Sequence, residues 1–184
     1  MALTQRTHQL ISKHFAQNSK RVAVDATCGN GHDTEFLCQL GFDEVYGFDI
    51  QTQAIHATKE RLTQAQLNAT LIESSHENIN AHLSKKIDCV MFNFGYLPSA
   101  DKSITTKSST SIKALEAVIE TLSGNGLISL MCYPGHPEGA IETAAIKAWM
   151  DKLNLNDWFI ETHLAKSPKP TAPILYIITR QTKC

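Results

Sequence analysis

The sequence lacks a continuous apolar run of about 18 residues, the length that a transmembrane helix requires. Its first 15 residues contain neither an uninterrupted apolar stretch nor a small-residue cleavage site, so we predict no secretory signal and a cytoplasmic protein. An excess of charge is absent as well, because 17 Lys and Arg residues stand against 18 Asp and Glu residues. This balance excludes a general polyanion-coating protein, and any contact with nucleic acid must use a local patch.

Paired cysteines are also missing. The five cysteines include no CxxC pair, and they are Cys28, Cys38, Cys89, Cys132 and Cys184. The pattern favours free thiols in a reducing compartment and disfavours a structural zinc site. Eight histidines suggest a metal site, but the one close Cys/His pairing is Cys132 with His136, and two groups do not complete a site. We therefore predict no metal cofactor.

What the sequence does contain is a regular alternation of strand-like and helix-like segments. With 184 residues, 42% of them hydrophobic and 19% charged, the chain is typical of one globular domain, and no repeat or linker divides residues 1–184. Hydrophobic spacing predicts strands over 21–25, 44–49, 69–73, 87–92, 127–132, 158–164 and 174–179. It predicts helices over 32–40, 52–67, 111–122 and 137–153, the third ended by the Ser-Gly-Asn-Gly that follows it.

Five strand–helix units followed by a strand pair predict an α/β fold. We expect a doubly wound, mostly parallel sheet with an antiparallel last strand. Ligands of such sheets bind at the carboxyl ends of the strands, where the strand order reverses. The chemistry is therefore expected in the loops after residues 25, 49, 73, 92 and 132.

The loop after the first strand, DATCGNGHDT, is rich in glycine and leads into the first helix. Gly29 and Gly31 permit a tight turn and a close approach of the backbone to a ligand. Asp49 ends the next strand, the position from which a carboxylate holds a ribose diol. Asp25 lies four residues before the first glycine, the arrangement used for S-adenosylmethionine, where the carboxylate serves the amino-acid end through water or a backbone amide. Thr34 replaces the third glycine of a dinucleotide fingerprint; the alternative interpretation is an ordinary strand-to-helix turn.

The loop after the fourth strand begins with Asn-Phe-Gly-Tyr-Leu-Pro. It resembles the [ND]-P-P-[YF] loop of methyltransferases that act on amines, with Phe-Gly in place of Pro-Pro. The Asn93 side-chain oxygen and the Phe94 carbonyl oxygen are acceptors that would orient a nitrogen nucleophile, and Tyr96 would stack on a flat base. The alternative is that Phe94 and Leu97 only pack the loop, with Asn93 as a turn residue.

Three further loops carry polar candidates. Ser75 and His76 follow the third strand, where adenine contacts are expected, although Ser75 is equally suited to cap a helix. Gln51 follows Asp49 and is a candidate ribose or adenine contact. His136, after the fifth strand, would orient substrate or phosphate, or simply begin a helix. Lysines in the loops are candidate phosphate contacts, although loop lysines are usually only solvated: Lys102, Lys107, Lys166 and Lys169.

Five strings occur together and in order: DATCGNGHDT, FDIQ, SSHENI, FNFGYLPSADKSITT and YPGHPEG. As a set they resemble the bacterial family first labelled putative rRNA methylases and now understood as MnmM-type tRNA wobble-uridine methyltransferases. The resemblance implies a class I, seven-stranded S-adenosylmethionine fold that is usually a homodimer. It implies methylation of the amine of 5-aminomethyl-2-thiouridine in the tRNA anticodon loop, without a role for DNA or a membrane. Ser99-Ala100 and the tail segment PKPTAP depart from the family pattern.

The resemblance also implies site residues. Together with the glycine-rich loop it assigns the cofactor to Asp25, Gly29, Asn30, Gly31, His32, Asp49, Gln51, Ser75 and His76. The predicted catalytic residues are Asn93, Tyr96 and Asp101, the last as the carboxylate that could accept the proton of the amine. The predicted substrate contacts are Phe94, Lys102, Thr106 and His136.

Two alternatives from other functional classes remain open on the sequence. An N-methyltransferase acting on rRNA or on a small-molecule amine would keep the cofactor site and change the acceptor. A non-catalytic RNA-binding protein would keep the basic loops without binding a cofactor. An NAD oxidoreductase is disfavoured because Thr34 stands where close helix packing requires glycine.

Overall fold

The computed structural model describes residues 2–95, 106–165 and 169–181. Its helices are α1 Leu3–His14, α2 His32–Leu40, α3 Thr52–Gln64, α4 Ile79–His82, α5 Ser108–Thr121 and α6 Pro137–Met150, with a 3-10 turn over His76–Asn78 before α4. Its strands are β1 Val22–Asp25, β2 Glu44–Asp49, β3 Thr70–Glu73, β4 Ile87–Asn93, β5 Leu122–Cys132, β6 Trp158–Leu164 and β7 Ile174–Arg180. Each segment predicted from hydrophobic spacing is present, with its ends shifted by a few residues.

The strands form one seven-stranded sheet in the order β3-β2-β1-β4-β5-β7-β6. Strands β1 to β5 pair in parallel, and β7 runs antiparallel to both β5 and β6. The predicted α/β architecture, a doubly wound and mostly parallel sheet, is confirmed. The strand order reverses between β1 and β4, so a crevice opens at the carboxyl ends of these two strands.

Two apolar layers cover the two faces of the sheet. Alternate residues of a strand point to opposite faces, so β4 sends Val90 and Phe92 into one layer and Cys89 and Met91 into the other. Helices α5 and α6 belong to the first layer, whereas α1 contributes Ile11 to the second. Burial on both faces explains why the central parallel strands read as nearly continuous apolar runs.

Helix α1 was not predicted, although its sequence carries a helical signal. Its buried positions Thr7 and Ile11, with Leu3 and Leu10 packed beside them, have the spacing of one helical face. A threonine at a central buried position weakens that pattern, because its hydroxyl must be satisfied. In the structure the Thr7 hydroxyl donates to the Leu3 carbonyl oxygen at 3.0 Å, within the helix itself.

Helix α5 ends at Thr121, one residue before the end predicted from the Ser-Gly-Asn-Gly segment, but this segment was not predicted to lie in a strand. It belongs to β5, which starts at Leu122 directly after α5. The pairing steps from Ile87 opposite Leu122 to Cys89 opposite Leu127, so the strand bulges over the intervening residues. A Cβ at Gly126 would collide with the Leu122 side chain, which explains why the bulge carries glycine there.

The described residues bear on the absence of a membrane-spanning helix and on the state of the cysteines. Among them, no helix is long and apolar enough to cross a membrane. Cys28, Cys38, Cys89 and Cys132 are free cysteines, as the sequence predicted. The fifth, Cys184, lies outside the described residues.

Candidate functional site

A cavity of about 790 Å³ opens at the carboxyl ends of the strands. Residues 26–30, 49–51, 74–76, 93–95 and the segment after β5 line it, and these follow the five strands whose loops were expected to carry the chemistry. Helix α1 adds Thr4 to the wall. The cavity therefore joins the predicted cofactor loops and the predicted acceptor loop in one space.

Glycine shapes the first loop at two positions. Gly29 and Gly31 have φ angles of +52° and +78°, in the left-handed region that L side chains rarely adopt. A Cβ at Gly31 would also come within 2.8 Å of the Thr58 Cα on α3. Helix α2 begins at the next residue, and His32 and Asp33 of its first turn line the cavity.

Asp49, the last residue of β2, connects the first two loops. Its Oδ2 accepts the Gly29 N–H at 3.0 Å and its Oδ1 accepts the Gln51 N–H at 2.9 Å. Burial raises the pKa of the Asp49 carboxyl, and these backbone donors oppose the rise. Each carboxylate oxygen has a further lone pair, so Asp49 can still accept a ribose hydroxyl.

Asp25 and Gly31 are the two predicted cofactor residues that do not line the cavity. The Asp25 carboxylate is fully buried, and it accepts the Thr34 hydroxyl at 2.7 Å and the Thr27 N–H at 3.3 Å. Burial, with the negative charge of Asp33 nearby, raises the pKa of Asp25 to about 7. Asp25 thus acts on the cavity through the backbone of its loop, and Thr34 supplies a hydrogen bond where a dinucleotide fingerprint has glycine.

His76 lines the cavity and carries a buried polar atom. The residue is 7% exposed, and no hydrogen-bond partner of its Nε2 is found among the described residues. Its ring contacts the rings of Phe92 and Phe94 edge-on, and burial lowers its pKa to about 4, so the imidazole is neutral near pH 7. A neutral ring nitrogen in this position is suited to hydrogen-bond a ligand such as adenine.

The remaining predicted cofactor residues line the cavity too, some with a second, structural role. Ser75 caps the 3-10 turn by accepting the Glu77 N–H at 3.4 Å, as the alternative interpretation proposed. Asn30 and His32 line the cavity, and Arg61 of α3 contacts both of them. This role of Arg61 was not predicted from the sequence. Arg61 donates to the Asn30 carbonyl oxygen at 2.7 Å and lies 3.2 Å from His32 Nε2.

Asn93 ends β4 and lies in the same cavity. Its N–H donates to the Thr27 hydroxyl at 2.8 Å, which joins the acceptor loop to the cofactor loop. Its side-chain Nδ2 donates to Asp33 Oδ2 at 2.7 Å. The amide nitrogen is thereby engaged, which directs the other branch of the amide, Oδ1, away from Asp33.

The Phe-Gly pair that replaces Pro-Pro has a defined geometry. The Phe94 N–H donates to the Met131 carbonyl oxygen at 2.9 Å, a ladder bond that proline cannot make. The Phe94 ring is 1% exposed and stacks on Phe92 at 5.2 Å. The chain then turns at Gly95, whose φ is +148°. The ring of Phe94 therefore packs the core, which leaves its backbone for contact with a substrate.

Thr106 is hydrogen-bonded to Gly95. It exchanges two bonds with Gly95: its hydroxyl accepts the Gly95 N–H at 2.8 Å and its N–H donates to the Gly95 carbonyl at 2.9 Å. The same hydroxyl donates to the carboxylate of Glu142 at 2.7 Å, and Ser111 donates to that carboxylate at 2.5 Å. Glu142 is 2% exposed, and burial raises its pKa. Nothing in the sequence around Glu142 indicated this role.

His136 and the segment before β7 form the wall after β5. His136 Nδ1 accepts the Gly139 N–H at 3.1 Å, so the residue caps α6 as well as lining the cavity. Lys107 and Thr171 also line it, and a Cβ at Gly135 would lie 3.1 Å from the Thr171 carbonyl oxygen. Several predicted residues lie outside the described residues: Tyr96, Leu97, Asp101, Lys102 and Lys166.

Across residues 2–95, 106–165 and 169–181, no group of three or more His, Cys, Asp and Glu side chains could hold a metal ion. The cavity instead offers backbone N–H groups, Asp49 and the buried nitrogen of His76. These groups suit a nucleoside with a ribose diol and a flat base. The residues present therefore fit S-adenosylmethionine.

Comparison with known proteins points to the same ligand. The chain matches the family described as "Putative rRNA methylase" over residues 45–179. A crystal structure of a "putative rRNA-methylase" from Clostridium thermocellum superposes with a TM-score of 0.90 and 34% identity, covering 97% of both chains. A "putative methyltransferase" from Streptococcus mutans, in complex with SAH, superposes with a TM-score of 0.87 and 30% identity, covering 98% of this chain and 99% of that one.

One curated relative carries a more specific description. It is the chloroplastic tRNA (mnm(5)s(2)U34)-methyltransferase of Arabidopsis thaliana, 34% identical over 172 residues, which include 86% of this chain. The matched region spans 62% of that relative's length, so this chain spans less than two thirds of it.

Proposed function

We propose that this protein methylates an amine on the wobble uridine of tRNA. The premise is that the chain belongs to the "Putative rRNA methylase" family and is an S-adenosylmethionine-dependent methyltransferase. The acceptor would be the aminomethyl group of 5-aminomethyl-(2-thio)uridine. The description of the Arabidopsis relative and the chemistry of the acceptor loop support this choice. The coarser alternatives, an N-methyltransferase of rRNA or of a small-molecule amine, would use the same cofactor loops.

The observation that carries the proposal is the orientation of the Asn93 side-chain amide. Its nitrogen donates to Asp33, and Asn93 lines the cavity that Asp49 also lines, so we propose that the amide oxygen accepts a hydrogen bond from the substrate amine. An amine nucleophile needs such an acceptor on its N–H, because that contact aims the nitrogen lone pair at the methyl carbon. Most of the rate would then come from proximity and orientation.

The cofactor side of the proposal rests on four groups. Asp49 would hold the ribose, the backbone at Gly29 and the first turn of α2 would approach the amino-acid end, and the buried His76 nitrogen would contact the adenine. S-adenosylmethionine supplies a sulfonium-activated methyl group. The protein residues only need to bind it and to bring the amine into line, a reaction that does not require a metal.

The wobble base would have to leave the anticodon stack to reach the cavity, as single-stranded RNA bases commonly do when proteins read them. Tyr96 is proposed to stack on it, and Asp101 to accept the proton that the amine loses. Phosphate contacts are proposed for Lys102, Lys107, Lys166 and Lys169. Of these, Lys107 lines the cavity. A homodimer and a cytoplasmic location remain proposals.

Nucleoside mass spectrometry tests the proposal. Total tRNA from a strain lacking this protein would be incubated with pure protein and S-adenosylmethionine, digested, and compared with untreated tRNA. We expect 5-aminomethyl-2-thiouridine to be converted to its N-methyl form, and the Asn93→Ala variant to convert it far more slowly. Conversion of an rRNA nucleoside with no change in tRNA would overturn the tRNA assignment, and cofactor binding without any methyl transfer would favour a non-catalytic protein.

A further inference from the structure

Three side chains from three distant elements form a continuous hydrogen-bonded chain that ends at the acceptor loop. His8 of α1 contacts Asp33 of α2 at 2.5 Å, and Asp33 accepts from Asn93 of β4 at 2.7 Å. We infer that Asp33, held by His8, is a positioning residue for methyl transfer that fixes the orientation of the Asn93 amide. The inference rests on the proposed role of Asn93 in holding an amine.

The orientation of an asparagine amide is a two-way choice, because its oxygen accepts while its nitrogen donates. An ionised carboxylate can only accept hydrogen bonds. With Asp33 Oδ2 against the Asn93 side chain, the Nδ2 branch must face Asp33, since the flipped amide would place two oxygens against each other. Asp33 therefore selects the orientation that presents Oδ1 to an amine N–H.

Asp33 is itself fixed on its second oxygen. His8 Nε2 lies against Oδ1, and because a carboxylate offers no proton, Nε2 must carry the hydrogen of this bond. The His8 ring stacks on Phe36 with centroids 3.8 Å apart and planes 2° apart, which limits its rotation. Asp33 is 6% exposed, so few alternative geometries are open to it. These hydrogen bonds thus connect α1 to the acceptor loop through Asp33.

A competing role for the same carboxylate is direct proton acceptance. Asp33 lines the cavity, so it could in principle meet the amine itself. The two roles differ in how Asp33 and Asn93 combine. A positioning residue acts through Asn93, so its removal costs little once Asn93 is gone, whereas a proton acceptor acts independently and the two losses multiply.

The test is a double-mutant cycle on single-turnover methyl transfer, using the full chain, S-adenosylmethionine and tRNA from a strain that lacks the protein. We expect Asp33→Ala to slow transfer about thirtyfold while leaving the dissociation constant of S-adenosylmethionine within about threefold. In the Asn93→Ala background, the same change should slow transfer by no more than about twofold. A full multiplication of the two losses would overturn the inference.

Asp33→Asn serves as the conservative rescue. The new amide can accept from Asn93 through its oxygen and donate to His8 Nε2 through its nitrogen once the imidazole hydrogen moves from Nε2 to Nδ1, so orientation is kept without charge. We expect transfer to recover to within about fivefold of the native rate. A rate as low as that of Asp33→Ala would mean that the charge itself is needed, which would contradict a purely positioning role.

A measurement without tRNA separates failure of this inference from failure of the proposed function. In ¹⁵N–¹H spectra of the labelled chain, the Asn93 side-chain NH₂ signals are identified by their loss in Asn93→Ala. We expect them to be protected from solvent exchange in the native chain and unprotected in Asp33→Ala, or in Asp33→Ser if the alanine variant does not fold. Unchanged protection would refute the inference even if tRNA methylation is confirmed, and lost protection would support it even if another RNA proves to be the acceptor.

Discussion

The two halves of the cavity are built in different ways. On the cofactor side, the loops after β1 and β2 are held by bonds between a side chain and the backbone: the Asp49 carboxylate accepts the Gly29 and Gln51 N–H groups, and Arg61 donates to the Asn30 carbonyl oxygen. On the acceptor side, the loop after β4 is held by side chains from remote elements, Asp33 on Asn93 and the Glu142 carboxylate on Thr106. A bond between a side chain and the backbone depends on the identity of one residue, whereas a bond between two side chains is lost when either residue is substituted.

This difference predicts that the two halves can be disabled separately. A change on the acceptor side should slow methyl transfer while cofactor affinity persists, because the cofactor loops keep their own hydrogen bonds. A change on the cofactor side should lower affinity without unfolding the acceptor loop. A variant that alters both quantities together would show that the halves are more tightly coupled than their contacts suggest.

The largest effect is expected for Asn93→Ala. Loss of the acceptor on the amine N–H should slow methyl transfer about a hundredfold, since the contact matters mainly in the reactive geometry. Cofactor affinity should stay within a few fold. Single-turnover rates and calorimetric titration measure the two quantities, with Asn80→Ala as the matched control, because Asn80 bonds the Ala117 carbonyl on the surface. Near-normal transfer in Asn93→Ala would show that this residue does not hold the acceptor.

A smaller effect is expected for Asp49→Ala, and it should fall on the affinity for S-adenosylmethionine instead of the rate of methyl transfer. Losing charge-assisted hydrogen bonds to the ribose should cost about 2 kcal/mol, or roughly thirtyfold in affinity for S-adenosylmethionine. Titration calorimetry on a variant with a native circular dichroism spectrum measures it. Asp43→Ala is the control, since Asp43 precedes the other end of β2 and is exposed. Unchanged affinity in a folded Asp49→Ala protein would remove Asp49 from the site.

Thr106→Val should produce an intermediate loss on the acceptor side alone. Valine keeps the shape but leaves the Gly95 N–H and the buried Glu142 carboxylate without the hydroxyl between them. We expect methyl transfer to slow about tenfold, because a misplaced acceptor loop reduces the fraction of reactive geometries. Thr121→Val, which removes only the two hydrogen bonds from this hydroxyl to carbonyl oxygens of α5, is the control. A parallel loss of cofactor affinity would contradict the separation of the halves.

The smallest expected effect is a change in the free energy of unfolding with pH, caused by His76 on the cofactor side. The pKa of His76 is lowered from 6.5 to about 4 by burial, so the unfolded chain binds a proton there at higher pH than the folded chain. The contribution of His76 to the free energy of unfolding is therefore fully present above pH 6.5 and is lost as the pH falls toward 4. Between pH 7.5 and pH 6 the loss of the His76 contribution should be on the order of 1 kcal/mol. Asp25, whose pKa is raised to about 7, binds a proton over the same range and opposes this loss. The His76 contribution is therefore measured as the difference between the native chain and His76→Gln in urea unfolding at both pH values. The same pH dependence of the free energy of unfolding in both proteins would contradict the burial of His76.

The same contrast explains what could be predicted from sequence. The parallel sheet, the glycine turn and Asp49 at the end of β2 follow from local patterns, because each depends on spacing within a few residues. Asp33 on Asn93 and Thr106 on Glu142 join positions 60 and 36 residues apart, and no local pattern encodes such pairs. Helix α1 was missed because Thr7 interrupts its apolar face, and with it the contact between His8 and Asp33 was missed.

The most direct test of methylation at the wobble amine uses a defined acceptor. A synthetic anticodon stem-loop carrying 5-aminomethyl-2-thiouridine would be incubated with pure protein and S-adenosylmethionine bearing a CD₃ group, then digested and fragmented by mass spectrometry. We predict one CD₃ on the side-chain nitrogen of that nucleoside, and none on a stem-loop with unmodified uridine. No transfer, or CD₃ on a ring atom or the ribose, would contradict the proposed reaction.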